Sequence, residues 1–119
     1  MAIQNVHEGR PAAPAVIDGY FKAHDRRDTE AALRAFAEDA RVQDDGHDYL
    51  GLGAISRWLS EASVEYTYTR TMIEAQETAP ESWSVINHLE GNFPGGQVDL
   101  RYAFTLTGDH IAELVIAPR

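Results

Sequence analysis

Asp44 combines a proton-accepting side chain with a position that would take it out of water. It ends the run Ala40-Arg41-Val42-Gln43-Asp44. If Val42 faces a core, the two-residue period of a strand sets Ala40 and Asp44 on that side and Arg41, Gln43 and Asp45 on the other. A carboxylate beside an apolar hollow is partly desolvated, which raises its affinity for a proton and suits it to general-base work. The competing reading is a solvated aspartate in the acidic turn Asp44-Asp45-Gly46-His47-Asp48. Tyr20 lies on one helical stripe with Val16 and Ile17. A buried phenol needs a partner for its hydroxyl, and a ligand oxygen, the backbone or a water would serve. Tyr102 interrupts the apolar row Val98, Leu100, Phe104, Leu106. It reads as a core residue or as a donor to an oxygen that gains charge.

Five further aromatic or polar groups belong with these. His24 follows Tyr20 by one turn, and its titration near neutral pH suits acid–base work at a cavity mouth. A histidine near a helix end also serves as a cap or a surface residue, and that is the favoured reading. Asn87 is the polar member of the row Trp83, Val85, Leu89, placed to orient a ligand or to bond a neighbouring side chain. Trp58, Tyr66 and Tyr68 read equally as cavity walls and as core. His47 with Asp44, Asp45 and Asp48 lacks the helix-spaced or strand-spaced pair that fixes metal geometry, so no metal is expected. No phosphate loop, serine-nucleophile motif or nucleotide fingerprint occurs in the sequence, and no cofactor is expected.

The elements that must position these groups follow from periodicity. Val16, Ile17, Tyr20, Phe21 and His24 mark a helix over residues 14–27, with proline in its first turn. Asp28 then reads as the N-cap of a short second helix whose buried face is Leu33, Phe36 and Ala37. Residues 40–44 and 48–50 are short strand candidates around the Asp45-Gly46 turn. Ile55, Trp58, Leu59 and Ala62 give a third amphipathic helix ending near Ser63. From Glu65 the period becomes two, and four strands follow. They are separated by Ala79-Pro80-Glu81, Pro94-Gly95-Gly96 and Gly108-Asp109. Which face of residues 64–76 meets the core stays open. Helices segregated ahead of an antiparallel meander define an α+β fold.

Composition sets outer bounds. The chain has 119 residues, 44% of them hydrophobic, and a net charge of −9. It therefore divides into a loose leader over residues 1–13 and one domain over residues 14–119. The negative surface argues against nucleic acid and anionic membranes as partners. The absence of cysteine excludes disulfides, thiol catalysis and thiolate metal sites. No apolar run has the length of a signal peptide core or a membrane span, so a cytoplasmic protein is expected.

Three blocks carry a more specific signal. They are Tyr20-Phe21-Lys22-Ala23-His24-Asp25-Arg26-Arg27-Asp28, then Phe36-Ala37-Glu38-Asp39-Ala40-Arg41-Val42-Gln43-Asp44-Asp45. The third is Tyr49-Leu50-Gly51, leading into Ala54-Ile55-Ser56-Arg57-Trp58-Leu59. With the order of elements, they make residues 14–118 resemble the nuclear transport factor 2-like superfamily, in its SnoaL-like and ketosteroid isomerase-like branch. The resemblance implies a cone-shaped fold, with three N-terminal helices on a curved antiparallel sheet enclosing a cavity. It also implies a homodimer through the outer sheet face, where His88, Glu90, Arg101, Ala103 and Thr105 would lie.

For the chemistry, the resemblance places the general-base aspartate at Asp44 and an oxyanion-donating tyrosine at Tyr20. The family's protonated late-strand aspartate falls on Tyr102, a departure from the steroid isomerase pattern. Asp99, the nearby acid, has the opposite parity. Asp99 and Arg101 are similar in type to a pair in limonene epoxide hydrolase-like members, but their parity points to the dimer interface. The expectation is a cofactor-free isomerase or cyclase that moves a proton α to the carbonyl of a hydrophobic small molecule. A polyketide cyclase would want an acid on a later strand, and none has inward parity. The alternative is a non-catalytic ligand-binding or dimerisation module, which a cavity filled by aromatic side chains would favour.

Overall fold

A computed structural model describes residues 12–119, without the side chains of residues 62–64. The leader expected over residues 1–13 lies, except for its last two residues, outside the described residues. Helix α1 (Ala15–Asp25) starts after Pro14 and buries Ile17, Tyr20, Phe21 and Ala23. It stops two residues short of the expected end because Arg27 takes φ 62°, which turns the chain. That turn delivers Asp28 as the cap of α2 (Thr29–Leu33), where its carboxylate accepts from the Ala31 amide at 3.1 Å. Such a cap stabilises a helix by about 1 kcal/mol.

Phe36 and Ala37 do not belong to the second helix as expected. They open β1 (Phe36–Asp44), and Phe36 is buried there opposite Ile111. The reason is tertiary: β1 runs parallel to β6 (His110–Pro118), a pairing between distant segments that local periodicity does not encode. The turn at Asp45 and Gly46 returns the chain as β2 (His47–Leu50). Helix α3 (Gly51–Glu65) then runs past the expected end at Ser63, since no glycine or proline stops it before Tyr66. The strand expected from Glu65 accordingly starts later, as β3 (Tyr68–Ala79).

The remaining strands are β4 (Ser82–Gly91) and β5 (Gln97–Thr107), followed by β6. All six form one sheet in the order β2-β1-β6-β5-β4-β3, antiparallel except between β1 and β6. Its inner face supplies Val42, Val85, Phe104 and Leu114 to a core completed by Ile17 and Phe21 of α1, Ala32 of α2, and Ile55 and Leu59 of α3. The three helices therefore cover one face of the sheet, in an α+β fold. Among the described residues, no helix is long and apolar enough to cross a membrane.

Candidate active site

Between the helices and the inner sheet face the core opens into a cavity of about 700 Å³. Seven of the eight residues singled out from the sequence line it: Tyr20, His24, Asp44, Trp58, Tyr66, Tyr68 and Tyr102. Leu89, Val98, Leu100 and Ile116 complete an apolar floor from three strands. Asn87, the eighth residue, is fully buried and does not line the cavity.

Strand parity brings Asp44 inward as expected, since Ala40 and Val42 are fully buried on the same side of β1. Asp44 itself is half-buried. Its Oδ2 accepts a hydrogen bond from Trp58 Nε1 at 3.0 Å, which anchors the carboxylate to α3. Oδ1 has no hydrogen-bond partner among the described residues. Asp45, expected to face away, also lines the cavity. Its φ of 53° belongs to a tight turn, where the alternation of a strand no longer holds. Asp44, Asp45 and Glu65 also line a neighbouring opening of about 470 Å³ with His47 and Glu61, so the rim is acidic. Among the described residues, no group of three or more histidine, cysteine or acidic side chains is arranged to hold a metal ion.

The tyrosines are held as weak acids. Burial pushes the Tyr20 phenol well above its usual value, with Tyr102, Tyr68 and Asp44 adding to the effect. Tyr102 is displaced the same way, chiefly by burial, and Tyr68 likewise. Asp44 contributes to the shift of all three, which reflects their convergence on one space. The Tyr20 hydroxyl has no hydrogen-bond partner among the described residues, and its ring is fixed edge-on to Phe36 and Phe104. All three phenols thus carry their protons at neutral pH, as a donor to an oxyanion must.

His24 is not the surface cap favoured from the sequence. Burial lowers its pKa, its ring stacks on Tyr20, and Nε2 lies 3.1 Å from the Tyr68 hydroxyl. His24, Tyr66 and Tyr68 also line a polar side pocket of about 270 Å³ with Arg70 and Asp25. Tyr66 packs on Phe93, another lining residue that the sequence reading passed over. Trp58 is both wall and anchor, packed against Tyr49 and bonded to Asp44.

Arg70 was also missed. It faces inward with Tyr68, its side chain only 13% exposed, and is paired with Asp25 at the end of α1. The available signal was parity: Tyr66, Tyr68, Arg70 and Met72 share one face of a two-residue period. A charged residue in that row obscured the inner face, and Asp25 was too distant in sequence to be seen as its partner.

No protein-family model matches the chain, and no curated protein does. Among solved structures, a proposed polyketide cyclase from Sinorhizobium meliloti is 34% identical, with a TM-score of 0.83 over 88% of this chain and 95% of that one. A protein of ketosteroid isomerase-like fold from Catenulispora acidiphila, in complex with trimethylamine, matches at 18% identity. Its TM-score is 0.78, over 89% of this chain and 86% of that one. A Mycobacterium tuberculosis protein in complex with estradiol-17β-hemisuccinate matches at 17% identity and TM-score 0.73, over 87% and 91%. These last two likenesses concern the fold. The chain belongs to the nuclear transport factor 2-like family of ketosteroid isomerase-like fold.

Proposed function

We propose that this protein is a cofactor-free enzyme that transfers a proton α to the carbonyl of a hydrophobic small molecule bound in the cone. One observation carries the reading: a single open cavity contains Asp44, with one carboxylate oxygen anchored and the other unpartnered, together with the hydroxyl-bearing Tyr20 and Tyr102. The cavity is not filled by its aromatic walls, which favours an enzyme over a dimerisation module.

Asp44 Oδ1 takes the α-proton, and the C–H electron pair moves into a new C=C bond as the carbonyl π pair shifts to oxygen. Tyr20 and Tyr102 donate hydrogen bonds to that oxygen as its charge grows, in a pocket where low polarity strengthens them. Where the ligand has a C=C bond next to the α-carbon the enolate is a dienolate, and Asp44 then returns the proton to its far carbon as the oxygen's electron pair restores the carbonyl, which isomerises the ligand. Alternatively the enolate carbon attacks a second carbonyl of the same molecule, whose π pair moves to its oxygen and takes the proton back from Asp44, which closes a ring. The 34% identity to a proposed polyketide cyclase supports this second outcome, since cyclisation shares the first step. Two tyrosines offer one donor for each oxygen, in place of the late-strand acid.

The test is incubation of a panel of cyclic mono- and diketones in deuterium oxide, followed by mass spectrometry. Enzyme-dependent deuterium gain at the α-carbon is expected for ketones that fit the cavity. No gain across a panel whose members bind would contradict the reading and leave a ligand-binding module.

A further inference from the structure

From Tyr102 a line of polar side chains runs behind the cavity wall, and the proposed chemistry gives its other members no role. Arg70 of β3, Asn87 of β4 and Tyr102 of β5 stand on the inner face of three adjacent strands. Arg70 is opposite Leu89 and Tyr102 is opposite Val85, so each is a diagonal neighbour of Asn87. Diagonal neighbours are about 7–8 Å apart, within reach of long side chains.

Arg70 is fixed first. Its Nε and Nη2 donate to the Asp25 carboxylate at 2.8–3.3 Å, and its guanidinium lies 4.4 Å from the centre of the Phe21 ring. Its remaining arm, Nη1, donates to Asn87 Oδ1 at 3.2 Å. A guanidinium can only donate, so it accepts no amide orientation other than oxygen towards it. The amide nitrogen is thereby turned the other way. Asn87 is fully buried, and this nitrogen has no hydrogen-bond partner among the described residues. A donor left in that state is costly and calls for a purpose. Diagonally across the β4–β5 ladder from Asn87 stands Tyr102, whose phenol pKa Asn87 lowers.

We propose that Asp25, Arg70 and Asn87 are positioning residues that turn the Tyr102 hydroxyl hydrogen into the cavity, assigning Tyr102 as the donor to a ligand's carbonyl or enolate oxygen. The proposal rests on the reading of the cavity as a carbonyl site. When the Asn87 N–H points at the phenol oxygen, that oxygen accepts and its own hydrogen turns to the cavity that Tyr102 lines. Burial opposes loss of the Tyr102 proton, while Arg70 and Asn87 both favour it and so sharpen the donor.

The probe is 4-nitrophenol, whose coloured anion imitates an enolate oxygen, titrated into Asp44→Asn protein so that the base carboxylate does not repel it. Adding Asn87→Asp keeps an acceptor for Arg70 but offers a second acceptor to Tyr102, turning its hydrogen out of the cavity. Binding should weaken by about tenfold, the worth of one charge-assisted hydrogen bond, and the ionised fraction of bound probe should fall. In a Tyr102→Phe background the same change should cost much less, leaving the effect of the added charge alone, which separates orientation from charge. Asp25→Asn, at the exposed end of the relay, should act in the same direction and depend on Tyr102 in the same way.

A penalty of equal size with and without the Tyr102 hydroxyl would overturn the proposal. So would the absence of any penalty in folded protein, or probe binding that is unaffected by Tyr102→Phe itself. Failure of the α-proton reading would look different: Tyr102-dependent probe binding with no deuterium exchange on ketones.

Discussion

The base role proposed for Asp44 rests on an asymmetry between its two oxygens. Trp58 holds one at 3.0 Å, which fixes the carboxylate plane, while the other stays available to a ligand. Tyr20 shows the complementary feature, a hydroxyl without a protein partner held by a ring packed in the core. Tyr20→Phe should therefore fold normally and lower the exchange rate by about 10²–10³, the cost of losing one oxyanion donor. A rate within a factor of two of wild type would remove Tyr20 from the chemistry. The two displaced histidines predict opposite pH effects on stability. Burial lowers the pKa of His24, so the unfolded chain binds that proton more readily, and stability falls as pH drops below about 6.5. His88, bonded to Asp99 and Glu90 on the outer face, has a raised pKa. Its contribution is complete below about pH 6.5 and disappears as pH rises through the raised value. Urea midpoints across this range should show a smaller acid-side loss in His24→Gln and a smaller alkaline-side loss in His88→Gln. Identical profiles for both variants and wild type would contradict the two assignments.

At the scale of elements, the start of β3 decides where the cavity's aromatic wall stands. Tyr68 is opposite Gly91 in the β3–β4 ladder, and a Cβ on Gly91 would lie 2.2 Å from the Thr67 carbonyl oxygen and 2.6 Å from Tyr68 Cβ. The Asn92 side chain and backbone clasp Thr67 from the same side, at 2.9 and 3.1 Å. Gly91→Ala should push β3 away, break the His24–Tyr68 contact and destabilise the fold by about 1–3 kcal/mol. A variant with an unchanged denaturation midpoint and unchanged tyrosine fluorescence would refute that packing argument. This junction also marks the limit of what periodicity carries. Alternation was enough to place Asp44, Tyr102 and Asn87 on the inner face, and helical spacing to place Tyr20, because each rule acts within one element. The parallel pairing that captured Phe36, the length of α3 and the Arg70–Asp25 pair depend on contacts across at least 45 residues or on the absence of a stop signal. Local patterns contain none of these. His24 was misread for the same reason, since Tyr68 of a distant strand, rather than its own helix end, sets its surroundings.

Across the whole molecule the sheet has two unlike faces. The inner one is apolar around the cavity. The outer one presents His88, Glu90, Arg101, Ala103 and Thr105, with Arg101 bonded to Ser84 and His88 to Asp99. We propose that two copies pair through this outer face, since a mixed polar row can meet its own twin about a two-fold axis. Sedimentation should give a dimer at micromolar concentration and a monomer for Thr105→Arg combined with Ala103→Glu. A monomer at every concentration in the wild type would refute the pairing. The cavity's lining residues lie on the other side of the sheet from this face.

The central claim is that Asp44 removes a proton from carbon inside that cavity. It is tested most directly by the rate of α-deuterium exchange into a bound ketone, wild type against Asp44→Asn. The variant keeps the shape and the Trp58 contact but lacks the base. A rate about 10²–10⁴ lower with ligand affinity retained is the predicted result; equal rates at equal occupancy would contradict it.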